Sequence, residues 1–216
     1  MSSERAPWEF GVEPLPQTRQ VAELLRRVTG LLMSLEGEDP AVEDLIVALG
    51  RAEENLKERV PTELAPRVGA VSAADGRVYL DHSRAIGSYD PCFPEYVIKV
   101  DGSRATGTVA FPIPYEGPPG IVHGGFLGVF FDCAVQHHNC DLGEAGKTTA
   151  MAVRYRRPAP LLTTLSFVID RESKEGRIES HAQLLDGDVL LCEATVDAVA
   201  GERSVLPVVD PRRSTT

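Results

Sequence analysis

The sequence predicts an α+β domain, an antiparallel sheet wrapped around one central helix, with a helical hairpin ahead of it. Three observations lead there. From Tyr96 onward most segments alternate apolar and polar residues, the period of a strand with one buried face. One stretch, from about His123 to between Asn139 and Leu142, breaks that alternation with an apolar run of helical length. The last strands are joined by tight turns, which connect antiparallel neighbours. A length of 216 residues suits one domain plus an extension. The expected division is an N-terminal helical extension over residues 1–65, the sheet-and-helix domain over 66–200, and a tail over 201–216.

Met1 to Leu15 reads as a disordered lead-in. Between Pro16 and Leu35, Val21, Leu24, Leu25, Val28, Leu31, Leu32 and Leu35 recur at helical spacing. Asp39 then caps a second helix with Pro40 at its first position. Val42, Leu45, Ile46, Leu49, Ala52 and Leu56 give this helix one apolar face, and Pro61 ends it. Each stripe needs cover, so the hairpin supports the domain, closes over a site, or meets a partner. Val68 to Val71 and Arg77 to Leu80 are short strand candidates, and Gly87 to Pro94 is a turn-rich loop. Tyr96 to Val100 and Ala105 to Phe111 form a hairpin around Asp101-Gly102-Ser103-Arg104. Four strands follow the central helix. These are Thr148 to Arg157, Thr164 to Arg171, Arg177 to Leu185 and Val189 to Val199.

Hydrophobic residues make up 43% of the chain and charged residues 25%, as in ordinary globular proteins. A net charge of −10 argues against nucleic acid as a partner. No stretch approaches the ~18 apolar residues of a membrane span. Met1 to Arg19 carries charges and prolines rather than an apolar run, and the expected location is the cytoplasm. Cys92, Cys133, Cys140 and Cys192 lack paired metal spacing; no metal is expected, and Cys133 and Cys192 fit buried thiols.

The chemistry concentrates in Gly120-Ile121-Val122-His123-Gly124-Gly125, which opens the central helix, and in Asp132 within it. A helix N-terminus offers free N–H groups and a partial positive charge. With glycine there, no side chain blocks a ligand carbonyl, so Gly124 and Gly125 are candidate donors to an oxyanion. Asp132, among Phe130, Phe131, Cys133 and Ala134, is a functional carboxylate or one that must be paired. His137 and His138 end the same helix, where a cation suits the dipole; they read as surface residues. Arg154, Arg156 and Arg157 form the densest basic cluster and suit phosphate, or a solvated strand end.

His123-Gly124-Gly125 followed by Asp132, with Thr148 and Tyr155-Arg156-Arg157-Pro158 downstream, resembles the hotdog-fold acyl-CoA thioesterases of the phenylacetate-pathway (PaaI) type. The loop Glu116 to Gly125 is especially similar to the mammalian thioesterase superfamily members. The resemblance spans about residues 87 to 200, and strand, strand, helix, four strands is the hotdog order. It implies acyl-CoA hydrolysis with Asp132 as general base or nucleophile. His123 would orient the thioester carbonyl or hold the loop, and Thr148 would assist the attacking water. Thr149, beside it, is not excluded by spacing. The arginines would take CoA phosphates, CoA entering as part of the substrate with no separate cofactor. One departure stands out. Many PaaI-type enzymes carry Asn six residues before the histidine, where this chain has Gly117.

Spacing adds an oligomeric expectation. Gly124 and Asp132 are eight helical residues apart, roughly 12 Å. One carbonyl cannot lie within hydrogen-bond reach of both, so the two groups must come from two copies of the helix. A two-fold homodimer with antiparallel helices is expected, with pairing into a dimer of dimers left open. Two rival readings share the fold: an acyl-CoA hydratase or dehydratase, and a non-catalytic acyl-CoA-binding dimer. The first usually wants a close Asp–His pair, and Asp81-His82 lies outside the recognisable core. Gly117 motivates the second.

Overall fold

A computed structural model describes residues 9–12, 14–59, 78–80, 84 and 86–202. A short strand β1 (Glu9–Val12) precedes helices α1 (Pro16–Leu32) and α2 (Pro40–Lys57) and a short strand β2 (Val78–Leu80). The main body begins with a hairpin, β3 (Tyr96–Asp101) and β4 (Arg104–Ala110). The long helix α3 (Gly124–Asp141) follows, then β5 (Glu144–Tyr155), β6 (Thr164–Lys174), β7 (Arg177–Asp186) and β8 (Val189–Glu202). These six strands form one sheet in the order β3-β4-β6-β7-β8-β5, every neighbouring pair antiparallel.

The period-two pattern decides which face of the sheet is dry. Leu165, Phe167 and Ile169 of β6, Ile178, Ala182 and Leu184 of β7, and Cys192, Ala194 and Val196 of β8 are all buried. Leu127, Phe130, Phe131, Ala134 and Val135 of α3 pack against that face. Phe130 is fully enclosed, with ring centroids of Phe167, Phe111, Tyr96 and Phe131 at 5.2, 5.6, 5.8 and 5.8 Å. Burying one such side chain contributes ~1.5–3 kcal/mol, so the helix is held chiefly by this seam.

The N-terminal helices attach unequally. Asp39 caps α2, its carboxylate accepting from the Ala41 N–H at 2.8 Å. Ala22 and Arg26 anchor α1, the Arg26 guanidinium donating to the carbonyls of Gly87 (2.5 Å) and Asp90 (3.1 Å). No residue of α2 is buried. None of the described helices is long and apolar enough to cross a membrane.

Two expectations are corrected. Residues 9–12 are not a disordered lead-in: they form β1, which pairs in parallel with β2. A four-residue strand whose partner lies nearly 70 positions away leaves no local signal. His137 and His138 are not surface residues, being 8% and 0% exposed. His138 continues the stripe Leu127, Phe131, Ala134, Val135 by helical period and so turns inward. The strand candidate Val68 to Val71, Pro61, Asp81-His82 and most of both terminal segments lie outside the described residues.

The buried His138 ring donates from Nε2 to the Gly102 carbonyl at 2.8 Å, while Nδ1 has no partner among the described residues. Burial lowers its pKa below the ordinary histidine value, against the opposing pull of the Gly102 carbonyl. An unfolded histidine takes up its proton near pH ~6.5, the folded one only at lower pH. In that window the unfolded chain binds more protons, so stability falls as pH drops below about 6.5. Denaturant unfolding at pH 7.5 and 5.5 is expected to show this loss, and a smaller one in His138→Gln, which keeps a donor for Gly102. Equal losses in the two proteins would assign the titration elsewhere.

Candidate active site

The loop before α3 is built to deliver its N-terminus. Gly117 N–H donates to Ile121 O (2.9 Å), Gly120 N–H to the Glu116 carboxylate (2.6 Å), and His123 N–H to Tyr115 O (2.8 Å). The segment after β5 returns along this loop, with Val122 N–H donating to Ala159 O and Leu161 N–H to Gly120 O. The Tyr-Arg-Arg-Pro motif and the His-Gly-Gly motif are therefore neighbours. A Cβ at residue 117 would lie 2.9 Å from His123 Cα. The absence of Asn there thus has a steric cause, because the loop passes too close to His123 for any side chain.

His123 is the N-cap of α3, its Nδ1 accepting from the Gly125 N–H at 3.0 Å. An accepting Nδ1 is unprotonated, so the neutral ring carries its proton on Nε2. Phe126 N–H donates to His123 O at 2.9 Å. Of the two glycine amides expected to face a ligand, that of Gly125 is thus engaged by His123. That of Gly124 makes no hydrogen bond among the described residues. Tyr155 secures the same turn from the end of β5, its hydroxyl donating to Gly124 O at 2.9 Å. A Cβ on Gly124 would sit 3.0 Å from that hydroxyl oxygen, so glycine lets strand and helix meet here.

Two turns on, Asp132 is only partly exposed, and its Oδ1 accepts from the Thr148 hydroxyl at 2.7 Å. The Thr148 oxygen in turn accepts from Gln136 Nε2 at 2.8 Å. A bulge in β5 makes this possible. The register against β8 slips between Thr148 and Ala150, which re-aims the side chains before it. Thr148 reaches Asp132 while Thr149 donates instead to Asp197 O at 3.2 Å, which separates two residues that spacing could not. Burial, with the Asp132 charge adding to it, pushes the neighbouring Cys133 thiol up to about 12. At neutral pH Cys133 is therefore a thiol and no nucleophile.

Gly124 and Asp132 share one unbroken helix. Eight residues place them roughly 12 Å apart along the axis and about 80° apart around it. The structure brings Thr148 to Asp132 and His123 to Gly125, but within one chain it does not bring the helix N-terminus to the carboxylate. Among the arginines, Arg156 pairs with Glu193 through Nε at 3.1 Å and a terminal nitrogen. Arg154 lines a groove with His181, Gln183, Glu193 and Thr195 on the sheet face away from α3. Arg157 approaches Leu190 O at 3.5 Å. Sequence reasoning missed Gln136, whose signal was its i+4 spacing from Asp132, and the cross-strand pairing of Arg156.

No family model matches the chain. It is similar along most of its length to a crystal structure of a thioesterase superfamily protein, at 23% identity and a TM-score of 0.70, covering 91% of this chain and 98% of that one. Shorter matches include a hypothetical thioesterase from Streptococcus pneumoniae crystallised with coenzyme A, at 18% identity and a TM-score of 0.47, covering 50% of this chain and 90% of that one. Another is thioesterase superfamily member 2 from Mus musculus, at 13% identity and a TM-score of 0.46, covering 49% and 82%. With its strand order, its single helix across the dry face and this long first match, the chain has a hotdog-type α+β fold.

Proposed function

We propose that this chain is an acyl-CoA thioesterase that works as a two-fold homodimer. The observation that carries the reading is an amide at the N-terminus of α3 that is unengaged among the described residues, combined with an oriented carboxylate eight residues along the same helix. In the dimer, Gly124 N–H of one protomer polarises the thioester carbonyl and Asp132 of its partner acts on it. By the general-base route, Asp132 takes a proton from water and the oxygen attacks the carbonyl carbon. Negative charge gathers on the carbonyl oxygen beside Gly124 N–H. The intermediate then collapses, breaking the C–S bond, and the CoA thiolate leaves with the proton Asp132 had taken. By the nucleophilic route, Asp132 itself attacks, CoA leaves, and water hydrolyses the resulting anhydride. His123 holds the N-terminal turn, and Thr148 fixes Asp132 and accepts from the attacking water.

The dimer is supported by the edge position of β5. This long strand borders the sheet with one row of backbone groups unpaired among the described residues, an arrangement that invites pairing with a second copy. Beside it Phe126, Val129 and Met151 leave apolar surface exposed, and two such surfaces would cover each other. Arg157, two residues beyond Tyr155, is the cation best placed for CoA phosphates, because Arg156 is engaged by Glu193 and Arg154 faces away from α3. Cytoplasmic residence suits the four free thiols.

Hydrolysis of an acyl-CoA panel, followed by thiol release, tests the reading. The wild type is expected to turn over at least one chain length, and Asp132→Asn to lose about 100-fold or more in kcat. Undiminished turnover by Asp132→Asn would remove Asp132 from the chemistry. CoA-ester binding without turnover by the wild type would favour a binding protein.

A further inference from the structure

Gln136 belongs to no motif and lies one turn beyond Asp132 on α3. Its side-chain amide ends on the Thr148 oxygen (2.8 Å), and the Thr148 oxygen lies 2.7 Å from Asp132 Oδ1. The chemistry of the three groups fixes the direction of each bond. An amide nitrogen only donates and a carboxylate only accepts, whereas a hydroxyl has one proton and two lone pairs. With Gln136 N–H on one lone pair, the single Thr148 proton goes to Asp132. That leaves one Thr148 lone pair and the second carboxylate oxygen as the remaining acceptors. Both can receive protons from a single water. A Cβ on Gly146 of β5 would come within 3.3 Å of Gln136 Oε1, so strand and amide lie close together.

Resting on the thioesterase reading above, we propose that Gln136 is a positioning residue that sets the polarity of the Thr148–Asp132 bond and thereby orients the attacking water. Without its donor the Thr148 hydroxyl is free to turn and offer its proton to that water. The water then meets a donor where it needs an acceptor. Gln136 acts through Thr148 and touches no reacting atom, so its loss falls on kcat and leaves KM unchanged. A merely structural role would add to the loss of Thr148 instead of depending on it.

The test is a double-mutant cycle on acyl-CoA hydrolysis with Gln136→Met, Thr148→Val and the pair. Methionine keeps length and helix propensity while removing the donor. Gln136→Met is expected to lower kcat about tenfold, the worth of one oriented hydrogen bond, with KM within twofold. In the Thr148→Val background the same change is expected to do nothing further. Wild-type kcat in Gln136→Met, or a tenfold loss that persists without Thr148, would overturn the proposal while the thioesterase reading stands. A wild type that hydrolyses no member of the panel would overturn both.

Discussion

A straight helix is a ruler, and α3 fixes the distance that governs this molecule. The amide of Gly124 and the carboxylate of Asp132 are eight residues apart, about 12 Å along the axis. No rotamer closes that gap, since an aspartate side chain reaches only a few ångströms, and bending the helix would break the aromatic seam around Phe130. Each group is prepared as though the other were near. Gly124 N–H has no acceptor among the described residues, and the Asp132 carboxylate is oriented by Thr148. The proposed homodimer reconciles the two facts by letting each end of the ruler serve the other copy's far end.

Strand β5 is the second element on which the site depends, because it touches the helix at both places that matter. Its last residue, Tyr155, ties down the first turn, and Thr148, turned inward by a bulge, reaches Asp132. A regular strand could not present Thr148 and Met151 to the same side, since three residues is an odd number of alternations. The irregularity in the ladder is what joins the strand to the carboxylate. The same strand forms the open edge of the sheet, so the element that organises each half-site is also the one available to a second copy.

Much of this was legible in the residues. The bounds of α3 followed from the glycines that open it and from the length of its apolar run, and the hairpin strands followed from alternation and tight turns. What stayed hidden has common physical causes. The β5 bulge leaves no compositional mark, so Thr148 and Thr149 could not be told apart. His137 and His138 looked like cations at a helix end until the helical period was carried through to them. Arg156 counted as a free cation because its partner, Glu193, sits on the adjacent strand, far along the chain. Gly117 stood as a missing catalytic asparagine, whereas the close passage of His123 makes glycine a requirement. Residues 9–12 owe their strand to a partner nearly 70 positions away.

The central claim is that an amide from one protomer and a carboxylate from its partner make one site, and subunit mixing tests it most directly. Gly124→Pro removes the amide proton at a first helical position that accepts proline, and Tyr155, more than half exposed, has room to yield to the ring. Asp132→Asn removes the carboxylate. Each variant alone is expected to be inactive. Unfolded together in equal amounts and refolded, half the dimers would be mixed, each with one intact site of two, so hydrolysis should return to about a quarter of the wild-type rate. A refolded mixture no more active than its two parents would contradict the shared site.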